Sequence, residues 1–91
     1  MSNESTQEPV MSFPCRFPIK AMGLAIEDFE GIIFAIVQNH VPDLARDALK
    51  QRASGNGKYL SITITIDASS REQLDAIYYD LTASEHVLMA L

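Results

Sequence analysis

The run Ser54-Gly55-Asn56-Gly57-Lys58-Tyr59-Leu60-Ser61-Ile62-Thr63-Ile64-Thr65-Ile66-Asp67 carries the most structural information in the chain. Leu60, Ile62, Ile64 and Ile66 take alternate positions, and Tyr59, Ser61, Thr63 and Thr65 fill the places between. Successive side chains of a strand point to opposite faces. The pattern therefore predicts a strand buried on its isoleucine side and open on its hydroxyl side. The many β-branched residues favour the same reading. Gly55, Asn56 and Gly57 tolerate positive φ and signal a tight turn. Such a turn joins two strands, so a partner strand is expected just upstream.

Upstream, residues 43–53 are ambiguous. Leu44, Ala45, Ala48 and Leu49 with Arg46, Asp47 and Lys50 suit a short helix by local propensity, whereas Ala48 to Ala53 also fits a polar edge strand. Further back, Phe17, Ile19 and Ala21 alternate with Pro18, Lys20 and Met22. This predicts a first strand beginning near Phe13, with Pro14 and Pro18 at its start and Gly23 at the turn that ends it. From Ile26 to Val41 the spacing becomes helical, with Ile26, Phe29, Ile33, Ile36, Val37 and His40 in one stripe, and Pro42 closes the segment. Downstream, Ser69 or Ser70 caps a second helix, Ser69 making a capping box with Glu72, and Leu74, Ile77, Tyr78 and Leu81 form its buried stripe. His86 to Leu91 alternates again, with Val87, Met89 and Leu91 as the inner set. If the residues before the turn form a strand, the order is βαββαβ. That is an α+β, ferredoxin-like two-layer sandwich, with a four-stranded antiparallel sheet and two helices on one face. If they form a helix, three strands and three helices remain, and the turn joins nothing.

The chain has 91 residues, with 7 basic and 12 acidic side chains and a formal charge of −5. One domain fits that length: residues 13–91 form it, and residues 1–12, poor in surface worth burying, read as a disordered N-terminal tail. A domain this small buries only about 60–65% of the surface its unfolded chain exposes, so most apolar residues must serve one core. The acidic balance argues against nucleic acid or an anionic membrane as partner. The longest apolar run, Ile32 to Val37, falls far short of the roughly 18 residues that cross a bilayer. The N-terminus also lacks the basic start and apolar centre of a secretory signal. Cys15 is the sole cysteine, which excludes an internal disulfide. A cytoplasmic location is expected.

Phe13-Pro14, Phe17-Pro18, Lys20, Met22-Gly23, His40 and Pro42 are followed by Ser54, Gly57-Lys58-Tyr59, Ser61 and Thr63-Ile64, then by Gln73, Tyr78, Leu81, Val87, Met89 and Leu91. In that order and spacing, residues 13–91 resemble the YbeD-like family of small bacterial proteins, also called the lipoate regulatory family. The resemblance implies a ferredoxin-like sandwich similar to the ACT domains, which bind amino acids and regulate metabolic enzymes. It also implies a strand after about Leu49 and a link to lipoate or amino-acid metabolism.

The residues point to no catalytic, cofactor or metal site. Cys15 has no neighbouring histidine to activate it. His40 falls at the end of the first helix, where it would cap carbonyls, and His86 opens the last strand in an exposed position. Two histidines far apart, without a cysteine pair, do not have metal-ligand spacing. Glu27, Asp28, Glu30, Glu72 and Asp75 occupy first turns or solvent faces of helices. Gly55-Asn56-Gly57-Lys58 precedes a strand rather than the helix that a phosphate loop requires. RNA-binding sheets stack bases on aromatics, and the open face offers only Tyr59.

The sequence therefore predicts a non-enzymatic regulatory or binding module. Its partner would be a second copy, a metabolic enzyme or an unidentified small molecule. Met22 and Gly23 are candidate ligand contacts, because a residue without Cβ permits close approach to the backbone. Lys20 is a candidate on the open sheet face. Phe34 lies about 140° from Phe29 around the first helix, and Tyr79 is similarly displaced on the second. The two aromatics would then share one outer patch. An adaptor acting through that patch, with no small-molecule ligand, is the alternative.

Overall fold

The isoleucine row forms the strand its alternation predicts. In the computed structural model, which describes residues 12–91, β3 spans Tyr59–Ala68 and holds Ile62, Ile64 and Ile66 almost sealed from solvent. β1, Cys15–Leu24, runs antiparallel to β3 along its whole length, from Cys15 opposite Ala68 to Leu24 opposite Tyr59. β2, Leu49–Ala53, pairs with the other side of β3. β4, Met89–Ala90, pairs with β1, so the sheet order is β2-β3-β1-β4. Two helices, α1 at Phe29–Gln38 and α2 at Arg71–Ala83, cover the isoleucine side. This is the βαββαβ sandwich. The tail expectation falls mostly on residues 1–11, which lie outside the described residues.

Phe29, Ile33 and Val37 of α1 and Leu74, Ile77 and Leu81 of α2 close over Ile19, Ile62, Ile64 and Ile66 of the sheet. Each side chain buried in full contributes about 1.5–3 kcal/mol. The residues after Leu49 are extended, as the hairpin demands. Of the helical preference upstream, only a single 3₁₀ turn survives, at Arg46–Ala48. Pairing with β3, from Leu49 opposite Ile64 to Ala53 opposite Leu60, outweighs local propensity there. In the turn itself, Gly57 takes a φ of 75°, and the Ser54 hydroxyl and Asn56 carbonyl accept from the Tyr59 and Lys58 backbone N–H groups.

Several local expectations need correction. Pro18 sits within β1, opposite Thr65, rather than at its start. Lys20 N–H donates to the Leu91 carbonyl on the β4 side, and alternate residues of a strand point their N–H groups the same way. The N–H that Pro18 lacks would thus face the β1 edge that short β4 does not reach, where none is needed. Gly23 also lies inside β1, opposite Leu60, and does not end it. Helix α1 begins at Phe29, because Ile26 is still in the turn that follows β1.

Of the two candidate caps of α2, Ser70 is the one used. Ser70 Oγ accepts from Gln73 N–H at 3.1 Å, and Gln73 Oε1 reaches back to Ser69 N–H at 2.7 Å. Ser69 and Glu72 therefore do not form the box. In β4, Ala90 faces inward opposite Ala21, whereas Met89 pairs with Met22 and points outward. Partners across a ladder share a face, so the register with β1 overrides the alternation read from residues 86–91. Leu91, hydrogen-bonded both ways to Lys20, follows Met89 outward.

Candidate functional site

With both helices on the isoleucine side, the other side of the sheet stands uncovered among the described residues. The strand register fixes what it displays. One row crosses the sheet as Arg52, Ser61, Met22 and Met89. The next row is Lys50, Thr63 and Lys20, with Leu91 joined to Lys20 by backbone hydrogen bonds. Thr65 with Pro18 and Asp67 with Arg16 lie to one side of these rows, and Tyr59 with Leu24 to the other. Hydroxyls run down the centre, cations flank them, and apolar side chains gather at the hairpin end. Leu24 and Tyr59 are exposed there, as are Met89 and Leu91 on the β4 side.

Charge is segregated between the two layers. Four of the seven basic residues, Arg16, Lys20, Lys50 and Arg52, project from the open face. A fifth, Lys58, places its ammonium 5.5 Å from the centre of the Tyr59 ring. Among the carboxylates of the described residues, Asp67 projects from this face, 3.4 Å from Arg16, and Asp43 and Asp47 border its Arg16–Thr65 end. That pair is solvent-exposed and adds little stability. No ion pair among the described residues engages Lys20, Lys50 or Arg52. Glu30, Glu72, Asp75 and Asp80 belong to the helical layer instead.

The predicted contact residues divide between the layers. Lys20 and Met22 lie side by side with Lys50, Arg52 and Ser61 on the open face. Gly23 turns inward: a Cβ there would stand 2.3 Å from the His86 carbonyl oxygen and 2.5 Å from the Phe29 ring. The space above its Cα is filled by the protein itself. It is neither a turn glycine nor open to a ligand.

Phe34 is buried, 6% exposed, with the Arg46 guanidinium 4.5 Å from its ring centre. Tyr79 remains 74% exposed on α2. The shared aromatic patch therefore does not form, because the segment after Pro42 folds back over α1 and brings Arg46 onto Phe34. Lys50 and Arg52 do not stand out in the sequence as contact residues, and Met89 reads there as an inner residue of the last strand. The signal for Lys50 and Arg52 was their alternate spacing in the edge strand.

Depressions mark the surface of the described residues. One, about 460 Å³, lies beside residues 43–48 and is walled by Arg16, Asp43, Asp47, Thr65 and Asp67. Another, about 80 Å³, lies beside Leu24, Ile26, His86 and Leu88. The third, about 170 Å³, opens on the sheet face between Met22, Arg52, Tyr59 and Leu60, and its walls are almost wholly apolar.

The histidines, Cys15 and Tyr78 make contacts within the fold. His40 Nε2 lies 2.7 Å from Asp80 Oδ2, joining the end of α1 to α2, and the His40 carbonyl accepts from Gln73 Nε2. The His40 ring thus bridges two helices rather than capping its own. His86, half-buried, is 3.7 Å from Glu85. Cys15 is half-buried and packs against the core. Among the described residues no three His, Cys, Asp or Glu side chains are placed to hold a metal ion. Tyr78 donates its hydroxyl to the Leu91 carbonyl at 2.6 Å and meets Phe17 edge-on, and its burial pushes the phenol pKa up.

Residues 8–91 match a family model described as "Protein of unknown function (DUF493)". The chain belongs to this family. DUF493 is the YbeD-like family that the residues resemble. A "UPF0250 protein" of Ectopseudomonas mendocina is 44% identical over 92 residues, covering 100% of both chains. A "UPF0250 protein" of Nitrosomonas europaea is 43% identical over 86 residues, covering 94% of this chain and 99% of the relative. The names of these DUF493 relatives state no activity. Among solved structures, that of protein HP0495 from H. pylori superposes with a TM-score of 0.78, covering 100% of this chain and 96% of that one. At 14% identity the match concerns the fold alone. No helix among the described residues is long and apolar enough to cross a membrane.

Proposed function

We propose that this protein is a non-catalytic binding module whose working surface is the open face of its sheet, and that it regulates or recruits another protein through that face. The observation that carries the reading is the grid of Lys20, Lys50, Arg52, Ser61, Thr63, Met22 and Met89. It is held on a rigid sheet and leaves its cations without carboxylate partners among the described residues. Side chains on regular strands keep fixed spacings, which suits a surface that must match another. One fact favours a protein occupant over a small metabolite: the approach to Gly23 is filled by Phe29 and the His86 carbonyl. The YbeD-like resemblance directs the search for partners toward enzymes of lipoate or amino-acid metabolism.

The test is a photoreactive phenylalanine placed at position 63 or at position 79 of the full chain in its own cells. Adducts with one defined protein are expected from position 63 and not from position 79. Adducts of equal yield from both, or none from position 63, would remove the sheet face from consideration. In parallel, lipoate, octanoate and the amino acids should leave the melting temperature unchanged. A ligand at 100-fold over its Kd adds about 2.7 kcal/mol, a shift of several degrees at this size. Such a shift would replace protein docking with metabolite sensing.

A further inference from the structure

We infer that the open sheet face receives an acidic protein segment, whose carboxylates meet Lys20, Lys50 and Arg52 while one apolar side chain enters the depression beside Met22 and Tyr59. The inference rests on the reading of this face as the working surface and goes further by naming what docks there.

Charge complementarity is the first argument. Lys50 and Lys20 flank Thr63 in one row, two strand spacings or about 10 Å apart, and Arg52 sits on the same strand two residues from Lys50. Like charges on one face repel, and no carboxylate among the described residues is paired with them. A partner carrying carboxylates at strand or helix spacing relieves that repulsion and is steered toward the face.

The second argument is the apolar end. Met22, Tyr59 and Leu60 wall a depression with Arg52 at its rim. That arrangement suits a buried anchor surrounded by a charged rim.

A second copy fits less well. In a two-fold dimer closed face to face, the cations of one sheet would meet those of the other. The complementary surface on a copy is its acidic helical layer, and that contact is head-to-tail and does not close into a dimer. Nucleic acid also fits less well. Single strands bind by stacking on successive aromatics, whereas this face offers one ring, with Lys58 already over it. The remainder of a chain of net charge −5 repels phosphates.

The experiment titrates the isotope-labelled full chain with three probes: a 12-residue peptide of glutamate and leucine, its lysine and leucine counterpart, and a 12-nucleotide oligouridylate. The acidic peptide is expected to shift the amides of Met22, Arg52, Ser61 and Thr63. Its affinity should fall at least tenfold in the double variant K50E/R52E and fall again on raising salt from 50 to 500 mM. Both substituted side chains are exposed on an edge strand, and an unchanged amide spectrum elsewhere shows that the variant is folded.

Four results overturn the inference. If the lysine peptide or the oligouridylate binds this face at least as tightly, the acidic partner is wrong, although the face remains a binding surface. If the acidic peptide shifts only helix amides, the assignment of the face is wrong. If no probe at millimolar concentration shifts the open face, this inference and the reading beneath it both fail. If E4Q/E8Q shifts the open-face amides without any probe, the occupant is the chain's own N-terminal segment.

Discussion

The two sides of β3 come from one stretch of ten residues and have opposite fates. Ile62, Ile64 and Ile66 are sealed by two helices, while Ser61, Thr63 and Thr65 between them remain partly exposed. The inward side has every neighbour it needs. The outward side has a regular spacing, several cations and no covering element among the described residues. Stability and the proposed recognition thus fall on alternate residues of one strand, and the two sets can be altered separately.

The largest effect that sharpens this contrast belongs to Ile64→Ala. Ile64 is 1% exposed, and its truncation should cost about 2–5 kcal/mol in urea denaturation. Thr63→Ala, one residue away, should cost well under half of that. Equal losses would break the division between the sides. Gly23→Ala comes next. The new methyl meets the His86 carbonyl and the Phe29 ring, and relieving the overlap should cost about 1–3 kcal/mol, read from the same denaturation curve.

Tyr78→Phe probes the seam between α2 and the end of the chain. Loss of the hydrogen bond to Leu91 should cost about 0.5–1.5 kcal/mol at neutral pH. Burial raises the Tyr78 pKa, so its contribution is full below the ordinary tyrosine pKa of 10.0 and is lost as pH climbs through the raised value. Melting curves of wild type and variant should therefore converge in strong alkali. The smallest effect is expected of K50E/R52E, below ~0.5 kcal/mol in stability, since both side chains are exposed. A large drop in melting temperature would show that the open face also supports the fold.

The architecture was legible wherever a residue's fate depended on its own strand or helix. The alternation in β3 and the glycine-rich turn point to a hairpin, but residues 43–53 read equally as helix or strand, and the YbeD-like resemblance is what favours β2. What escaped prediction depended on distant partners. Phe34 lies about 140° from Phe29 around α1 and so reads as outward, and nothing local announces that Arg46 returns over its ring. The orientation of Met89 and Leu91 was set by the register with β1, which the alternation of residues 86–91 does not encode. Gly23 is the same letter in a turn or in a crowded strand, and only its neighbours distinguish the two. Of the candidate site, Lys20 and Met22 were visible. Lys50 and Arg52 were hidden because the net negative charge of the whole chain conceals a local excess of the opposite sign.

Pro18 has a consequence beyond its place in the ladder. β4 is two residues long, so the first half of β1 has a border with no neighbour among the described residues. A bare border of that kind is where soluble sheets polymerise into fibrils. The proline removes one of the donors that an invading strand would grip, and its ring obstructs flush stacking. The residue thus disfavours edge-to-edge pairing at the point where the sheet runs short, and the docking proposed for the broad side does not depend on that border.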